Sequence, residues 1–286
     1  MVGVRGRLRE TAAILRLLAW PDRDRASEVY ALLGERYRLG QRTHYLNLGY
    51  WEQATDYDDA CDALAEQLGL TVGLGPGDRL LDVGFGFGDQ DDYWLRRFRP
   101  AAITGLNITP LHVETARRRF VDPRLDFRLG SATAMPLAEG SVDRVTALEC
   151  AFHFVTREDF FREAFRVLRP GGTLGTADIL PTPDHPLDGY FARLTRSFWQ
   201  IPDANWMRWP DYEAALARAG FVDIQARSIR QLVYAPVWRH ARQIAQDPAH
   251  ARDWSPVARL LVRLPPSALD SLDYLLVSAR KPGPAG

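Results

Sequence analysis

Glycine at every second position, directly behind a short apolar run, constrains this chain more than any other feature. Leu80-Leu81-Asp82-Val83 reads as the end of a buried strand, and Gly84, Gly86 and Gly88 come directly after it. With no Cβ in the way, the backbone there can turn tightly and approach a ligand closely. Asp82 stands just before the first glycine, where a carboxylate can orient the loop or meet a cationic ligand. The spacing by itself is shared by several nucleotide-binding folds and by plain turns, so its meaning depends on the neighbouring segments.

Downstream of the glycines, helix and strand patterns alternate. The stretch 91–98 has apolar residues at helical spacing, and 101–106 reads as a strand ended by Asn107. Asn107 lies about twenty residues past the glycines, where nucleotide-binding αβ folds put a group that bonds ribose hydroxyls. Thr109 and Pro110 have the chemistry of an N-cap and first helical residue, opening a helix through Val113, Ala116 and Phe120. Strands are expected at 125–129, closed by Gly130-Ser131-Ala132, and at 142–148, ending at Glu149. Between them and a fifth strand at 173–179 lies a helix, 157–168, with Phe160, Phe161, Ala164, Phe165 and Leu168 on one face. Pro170-Gly171-Gly172 is expected to stop that helix. This alternation predicts an α/β fold, a mostly parallel sheet covered on both faces. Its ligand crevice belongs at the carboxyl ends of the strands, where the strand order reverses.

Taken together, Asp82-Val-Gly-Phe-Gly-Phe-Gly, Gly105-Leu-Asn, Gly130-Ser-Ala and Phe165-Arg-Val-Leu-Arg-Pro-Gly-Gly resemble the class I S-adenosylmethionine-dependent methyltransferases. The likeness is to the small-molecule, natural-product branch that includes the macrolide-sugar O-methyltransferases, and covers roughly residues 43–230. It implies a Rossmann-like, seven-stranded, mostly parallel sheet with S-adenosyl-L-methionine as cofactor. It also implies that Gly84, Gly86 and Gly88 cradle the methionine and ribose part, with Asp82 and Gln90 at the two ends of that loop. Asn107 and Ile108 would contact the ribose, and Ser131 and Ala132 the adenine. The family usually has an acidic residue where this chain has Asn107, and often Asp where it has Ser131. An amide keeps the ability to hydrogen-bond a hydroxyl but loses the strength of a charge-assisted bond.

The 286 residues accommodate one αβ core with additions: a helical N-terminal lid segment over 1–75, a cofactor-binding core over 76–180, and the remainder with cap inserts at about 181–209 and 231–270. Formal net charge is zero, without the bulk basic character of a nucleic-acid binder. The bases are arginines apart from Lys281, a usage typical of GC-rich bacterial genomes. Cys61 and Cys150 are the only cysteines, which fits a reducing cytoplasm and a chain without a disulfide framework. No His/Cys/carboxylate set has metal-ligand spacing. The apolar stretch 12–20 is interrupted by Arg16 and reads as an amphipathic helix rather than a signal peptide or membrane span. Homo-oligomerisation is left open.

Outside the core, aromatic residues gather. Tyr45-Leu46-Asn47-Leu48-Gly49-Tyr50-Trp51 reads either as core packing or as a lid over the cofactor, with Tyr45 and Tyr50 reaching the acceptor. The inserts carry Phe198, Trp199, Trp206 and His240, which read either as the cap's own packing or as the wall of a large, partly apolar acceptor site.

Methyl transfer from a sulfonium is an in-line displacement that needs a nucleophile held about 3 Å from the methyl carbon, with water excluded. A hydroxyl acceptor gains from a nearby base, and His is the commonest. His153 comes after the fourth strand within Glu149-Cys-Ala-Phe-His-Phe and is the first candidate. Glu149 can bond the cofactor, orient His153 or face the acceptor, and Asp178 is a further candidate for the pocket wall. His44, His185 and His250 have less support. C-methylation of an alkene or prenyl acceptor is the second reading, since aromatic faces and Glu149 stabilise cations. A dinucleotide-binding oxidoreductase and a non-catalytic binding protein are alternatives of another class.

Overall fold

The computed structural model describes residues 39–247 and 271–283, of Phe191 only the backbone. The expected helix at 12–20, and His250 in the second insert, lie outside the described residues. In chain order the elements are α1 (Tyr57–Thr71), β1 (Arg79–Val83), α2 (Asp89–Arg97), β2 (Ala102–Asn107), α3 (Pro110–Arg119), β3 (Leu125–Leu129) and β4 (Val142–Leu148). Then come α4 (Arg157–Val167), β5 (Leu168–Pro181), α5 (Tyr190–Trp199), α6 (Trp209–Ala219), β6 (Val222–Ser228), α7 (Arg230–Gln246) and β7 (Leu272–Arg280).

The strands form a seven-stranded sheet in the order β3-β2-β1-β4-β5-β7-β6. β1 to β5 are parallel neighbours, and β7 runs antiparallel between β5 and β6. The period-two alternation of a strand sorts β1 between the two faces. Leu80 joins one apolar cluster, with Leu64 and Leu68 of α1, Trp94 and Leu95 of α2 and Val233 of α7. Leu81 and Val83 join the other, with Phe160, Phe161 and Ala164 of α4 and Tyr212 and Leu216 of α6. A smaller cluster of Phe85, Val113, Ala116 and Phe127 seats α3 behind the glycine loop. The chain reverses direction across the sheet between β1 and β4, so their carboxyl ends open a crevice.

Helix starts obey local chemistry. The Asp56 side chain accepts the Asp59 N–H at 2.8 Å to open α1, and the Thr156 hydroxyl accepts the Asp159 N–H at 3.0 Å to open α4. Thr109 and Pro110 do open α3, although the Thr109 hydroxyl makes no capping bond.

Two expectations need correction. Pro170-Gly171-Gly172 does not stand between a helix and a strand. β5 already begins at Leu168, which pairs with Val142, and the triplet forms an irregularity inside it. Gly172 is needed there because a Cβ would lie 2.8 Å from the Asp143 carbonyl oxygen. The described part of the N-terminal lid is also not helical throughout: the segment before α1 is an irregular strap. Several of its backbone N–H groups find side-chain acceptors rather than a ladder. Asp58 accepts from Gln41 (2.8 Å), Arg42 (3.0 Å) and Thr43 (3.1 Å), Asp89 from His44 (3.2 Å), and Glu149 from Leu48 (2.8 Å). Three carboxylates, on α1, on α2 and in the turn after β4, thus hold the strap over the strand ends.

Candidate active site

The crevice deepens into a cavity at the carboxyl ends of the strands. Gly84, Gly86, Gln90, Asn107, Ile108, Ser131, Ala132, Glu149 and His153 all line it, as does Tyr45 of the strap. Four strand ends bring these residues together from widely separated parts of the chain.

The glycine loop is built for close approach. Gly84, Gly86 and Gly88 have φ of 74°, 58° and 87°, a region that side chains disfavour. A Cβ on Gly84 would collide with the Cys150 sulfur at 2.6 Å, and one on Gly88 would press on Phe127 and Ala116. At Gly86 the nearest neighbour would be Leu46 at 3.7 Å, so that side of the loop faces open space. Asp82 lies fully buried beneath the loop, bonded by Gln90 Nε2 (2.9 Å) and Thr146 Oγ1 (2.8 Å). It does not line the cavity and acts by anchoring Gln90; burial pushes its carboxyl up to about 7.

On the ribose side, Asn107 Oδ1 accepts the Thr109 N–H at 2.9 Å, which directs its amide group outward. Ser131 is turned into its own loop. Its hydroxyl accepts the Thr133 N–H (3.2 Å) and lies 2.9 Å from the Thr133 hydroxyl. Tyr45 lines the cavity with its ring, since its hydroxyl donates to Asp62 at 2.7 Å.

Glu149 sits at the switch point with φ of 53°, a left-handed conformation that costs a non-glycine residue of order 1–3 kcal/mol and persists where the surroundings over-determine it. They do so here. Its N–H donates to Ala177 O, and its Oε2 accepts from Leu48 N–H and from the Tyr274 hydroxyl, each at 2.8 Å. Burial raises its carboxyl to about 8, against the two hydrogen bonds. His153, in the short turn Ala151–His153, places Nδ1 3.0 Å from the Gln200 carbonyl oxygen. A carbonyl only accepts, so Nδ1 bears the proton and Nε2 the lone pair. Burial lowers this imidazole to about 4, which keeps it neutral at ordinary pH.

Of the expected acceptor residues, only Tyr45 is brought to this cavity. Asp178 is fully buried in an ion pair with Arg157, at 2.9 Å to both Nε and Nη2. It sits inside β5 rather than at its end, so it points into the core. Tyr50 packs in the cluster under α1, with its hydroxyl donating to Glu52 at 3.1 Å. His240 stacks on Tyr57 and lies against Trp51, behind the strap. Trp206 is buried against His185, Trp199 packs on Tyr234, and Phe198 is 43 % exposed; none of the three lines the cavity. Conversely, the lining includes Asn47, Phe87 and His112, which sequence reasoning passed over. His112 had a usable signal: it falls in the first turn of the helix that begins right after Asn107. Among the described residues no group of His, Cys, Asp and Glu is arranged to hold a metal ion, and no helix is long and apolar enough to cross a membrane.

These features fit S-adenosylmethionine. The loop offers a cradle that a Cβ at Gly86 would invade, and two buried polar atoms on the cavity wall, Asn47 Nδ2 and His112 Nε2, have no partner among the described residues. Comparison with known proteins agrees. Residues 81–176 match the family described as methyltransferase domain. The erythromycin 3''-O-methyltransferase of Saccharopolyspora erythraea is 38 % identical over 277 residues, 91 % of this chain and 90 % of that one. The 27-O-demethylrifamycin SV methyltransferase of Amycolatopsis mediterranei is 31 % identical, over 85 % of this chain and 91 % of its own. In fold, the geranyl diphosphate C-methyltransferase of Streptomyces coelicolor superposes with a TM-score of 0.71 at 19 % identity, covering 92 % of this chain and 99 % of that one. On the strength of these full-length likenesses and of the cradle at the β1–β4 switch point, the chain belongs to the class I S-adenosylmethionine-dependent methyltransferases.

Proposed function

We propose that the chain O-methylates a hydroxyl of a large, partly apolar natural product, of the macrolide-glycoside class. The observation that carries this reading is His153: a neutral imidazole at the cavity, its Nδ1–H fixed on the Gln200 carbonyl and its basic nitrogen on the remaining side. When bound, the cofactor supplies a sulfonium-borne methyl group whose C–S bond breaks as the new O–C bond forms. His153 Nε2 takes the hydroxyl proton during that step, and the Gln200 carbonyl steadies the imidazolium that results. A base with a pKa near 4 is weak, so much of the acceleration falls to positioning and to exclusion of water. Glu149 serves the positioning. It ties the strap to the strand ends through Leu48, and with it the wall formed by Tyr45, Leu46 and Asn47.

The cavity rim favours a sizeable apolar partner. Val155 lines it and is 63 % exposed, as a residue of an acceptor-facing mouth would be. The names of the two natural-product relatives support a hydroxyl acceptor. The reading is tested with S-adenosylmethionine carrying a ¹³C methyl group and a macrolide glycoside with a free sugar hydroxyl. The carbon spectrum of the product should show a methyl on oxygen. A methyl on carbon would replace this reading by C-methylation, and no transfer to any glycoside of a panel would remove the acceptor class.

A further inference from the structure

Between the end of β2 and the glycine loop, the cavity wall carries a histidine whose ring nitrogen the protein leaves without a partner. His112 is 3 % exposed, lines the cavity, and its Nε2 has no hydrogen bond among the described residues. A buried polar atom in that state is a cost to the fold that a ligand hydrogen bond would recover. The ring is held in place. It lies 4.4 Å from the Phe87 ring of the glycine loop, and the backbone N–H of His112 donates to Thr109 O at 3.1 Å. Burial alone lowers the imidazole to about 4, so it is neutral and Nε2 can accept a proton donor.

Asn107, at the preceding strand end, explains why such an acceptor is needed. Its single side-chain oxygen already accepts the Thr109 N–H, which commits one of its two lone pairs and leaves the amide N–H groups as its main offer to a ligand. A vicinal diol brings two O–H donors as well as two oxygens. A carboxylate at position 107 would have had a second oxygen for one of those donors; an amide does not.

We propose that His112 is a cofactor-binding residue whose Nε2 accepts an O–H of the ribose diol while the Asn107 amide donates to a diol oxygen. The pair divides between two side chains what one acidic residue would do. This rests on the cofactor assignment and is independent of the acceptor.

The test is calorimetric titration of the full chain with S-adenosylhomocysteine and with its 2'-deoxy and 3'-deoxy analogues. Wild type should bind at least one analogue about tenfold more weakly than the parent, the worth of one well-placed hydrogen bond. In His112→Leu the parent should weaken by about the same factor, and that discrimination should vanish. His112→Gln, which retains an acceptor, should keep it, and Asn107→Asp should restore parent binding to His112→Leu. If His112→Leu discriminates against both analogues as wild type does, His112 does not touch the diol. If wild type does not bind S-adenosylhomocysteine at all, the cofactor site itself is misassigned and the proposal falls with it. Should His112→Leu fail to fold, ¹⁵N spectra of the histidines decide. One imidazole nitrogen should move upfield on binding the parent, and this resonance should be missing from His112→Gln. An unmoved set of histidine nitrogens overturns the proposal.

Discussion

Replacing Asp178 by alanine separates a core carboxylate from a pocket carboxylate. Asp178 bonds Arg157 through both oxygens at 2.9 Å and also accepts the Ile179 N–H at 2.8 Å, with neither charged side chain exposed. Removing one member of a buried pair typically costs about 3–5 kcal/mol, because the other charge stays buried without its partner. Arg157 retains two carbonyls, Ile179 O at 2.9 Å and Asn205 O, and the face of Tyr212 at 5.4 Å from its guanidinium carbon. These put the loss at the lower end, about 3 kcal/mol. At roughly 2–4 °C per kcal/mol for domains approaching this size, the melting temperature should drop by roughly 6–12 °C. Turnover should fall as well, through a brace rather than through contact. Asn205, bonded to Arg157, donates from Nδ2 to Phe152 O (3.2 Å) and Phe154 O (2.7 Å), one on each side of His153. Thermal melts and calorimetric binding of S-adenosylhomocysteine are the assays, and cofactor affinity should stay within about threefold while the melt shifts. A variant that melts within about 1 °C of wild type but loses acceptor binding would refute this account and return Asp178 to the acceptor site.

His153→Ala should lower turnover by about 10²-fold at saturating cofactor, the low end for general-base catalysis, with S-adenosylhomocysteine affinity nearly unchanged; wild-type turnover in single-turnover assays rules out the base. Because burial holds this imidazole at about 4, the acid limb of the wild-type rate profile should fall near pH 4 rather than at the usual histidine value. Glu149→Gln tests the raised carboxyl. A group near 4.5 when unfolded and about 8 when folded binds more protons in the folded state between those values, so its contribution to stability is lost as pH rises across that window. The urea midpoint of the Gln variant relative to wild type should therefore improve from pH 5 to pH 8, and a constant difference would place Glu149 outside that scheme.

Most of the sheet was legible because its strands are short apolar runs bounded by glycine, asparagine or a capped helix, and those signals are local. The glycine loop, Asn107 and His153 were legible for the same reason: each marks a strand end. Asp178 was misread because β5 runs on through Pro181, so what looked like an exposed strand end is strand interior. Tyr50 and His240 were misread because an aromatic residue carries no local sign of whether it faces a ligand or another ring. The strap was hidden most deeply. Its hold on Glu149 spans 101 positions, and no period or motif in either segment announces that contact. His112 had a local signal, its place in the first turn after Asn107, but its meaning depends on the Asn107 oxygen already accepting the Thr109 N–H.

The most direct test of the site is a crystal structure of the protein with S-adenosylhomocysteine. The amino-acid end should lie along Gly84 and Gly86, the ribose among Asn107, Ile108 and His112, and the adenine against Ser131 and Ala132. The sulfur should face the side of the cavity formed by Glu149 and His153. Density for the ligand elsewhere, or in this cavity with the sulfur turned away from His153, would contradict the account.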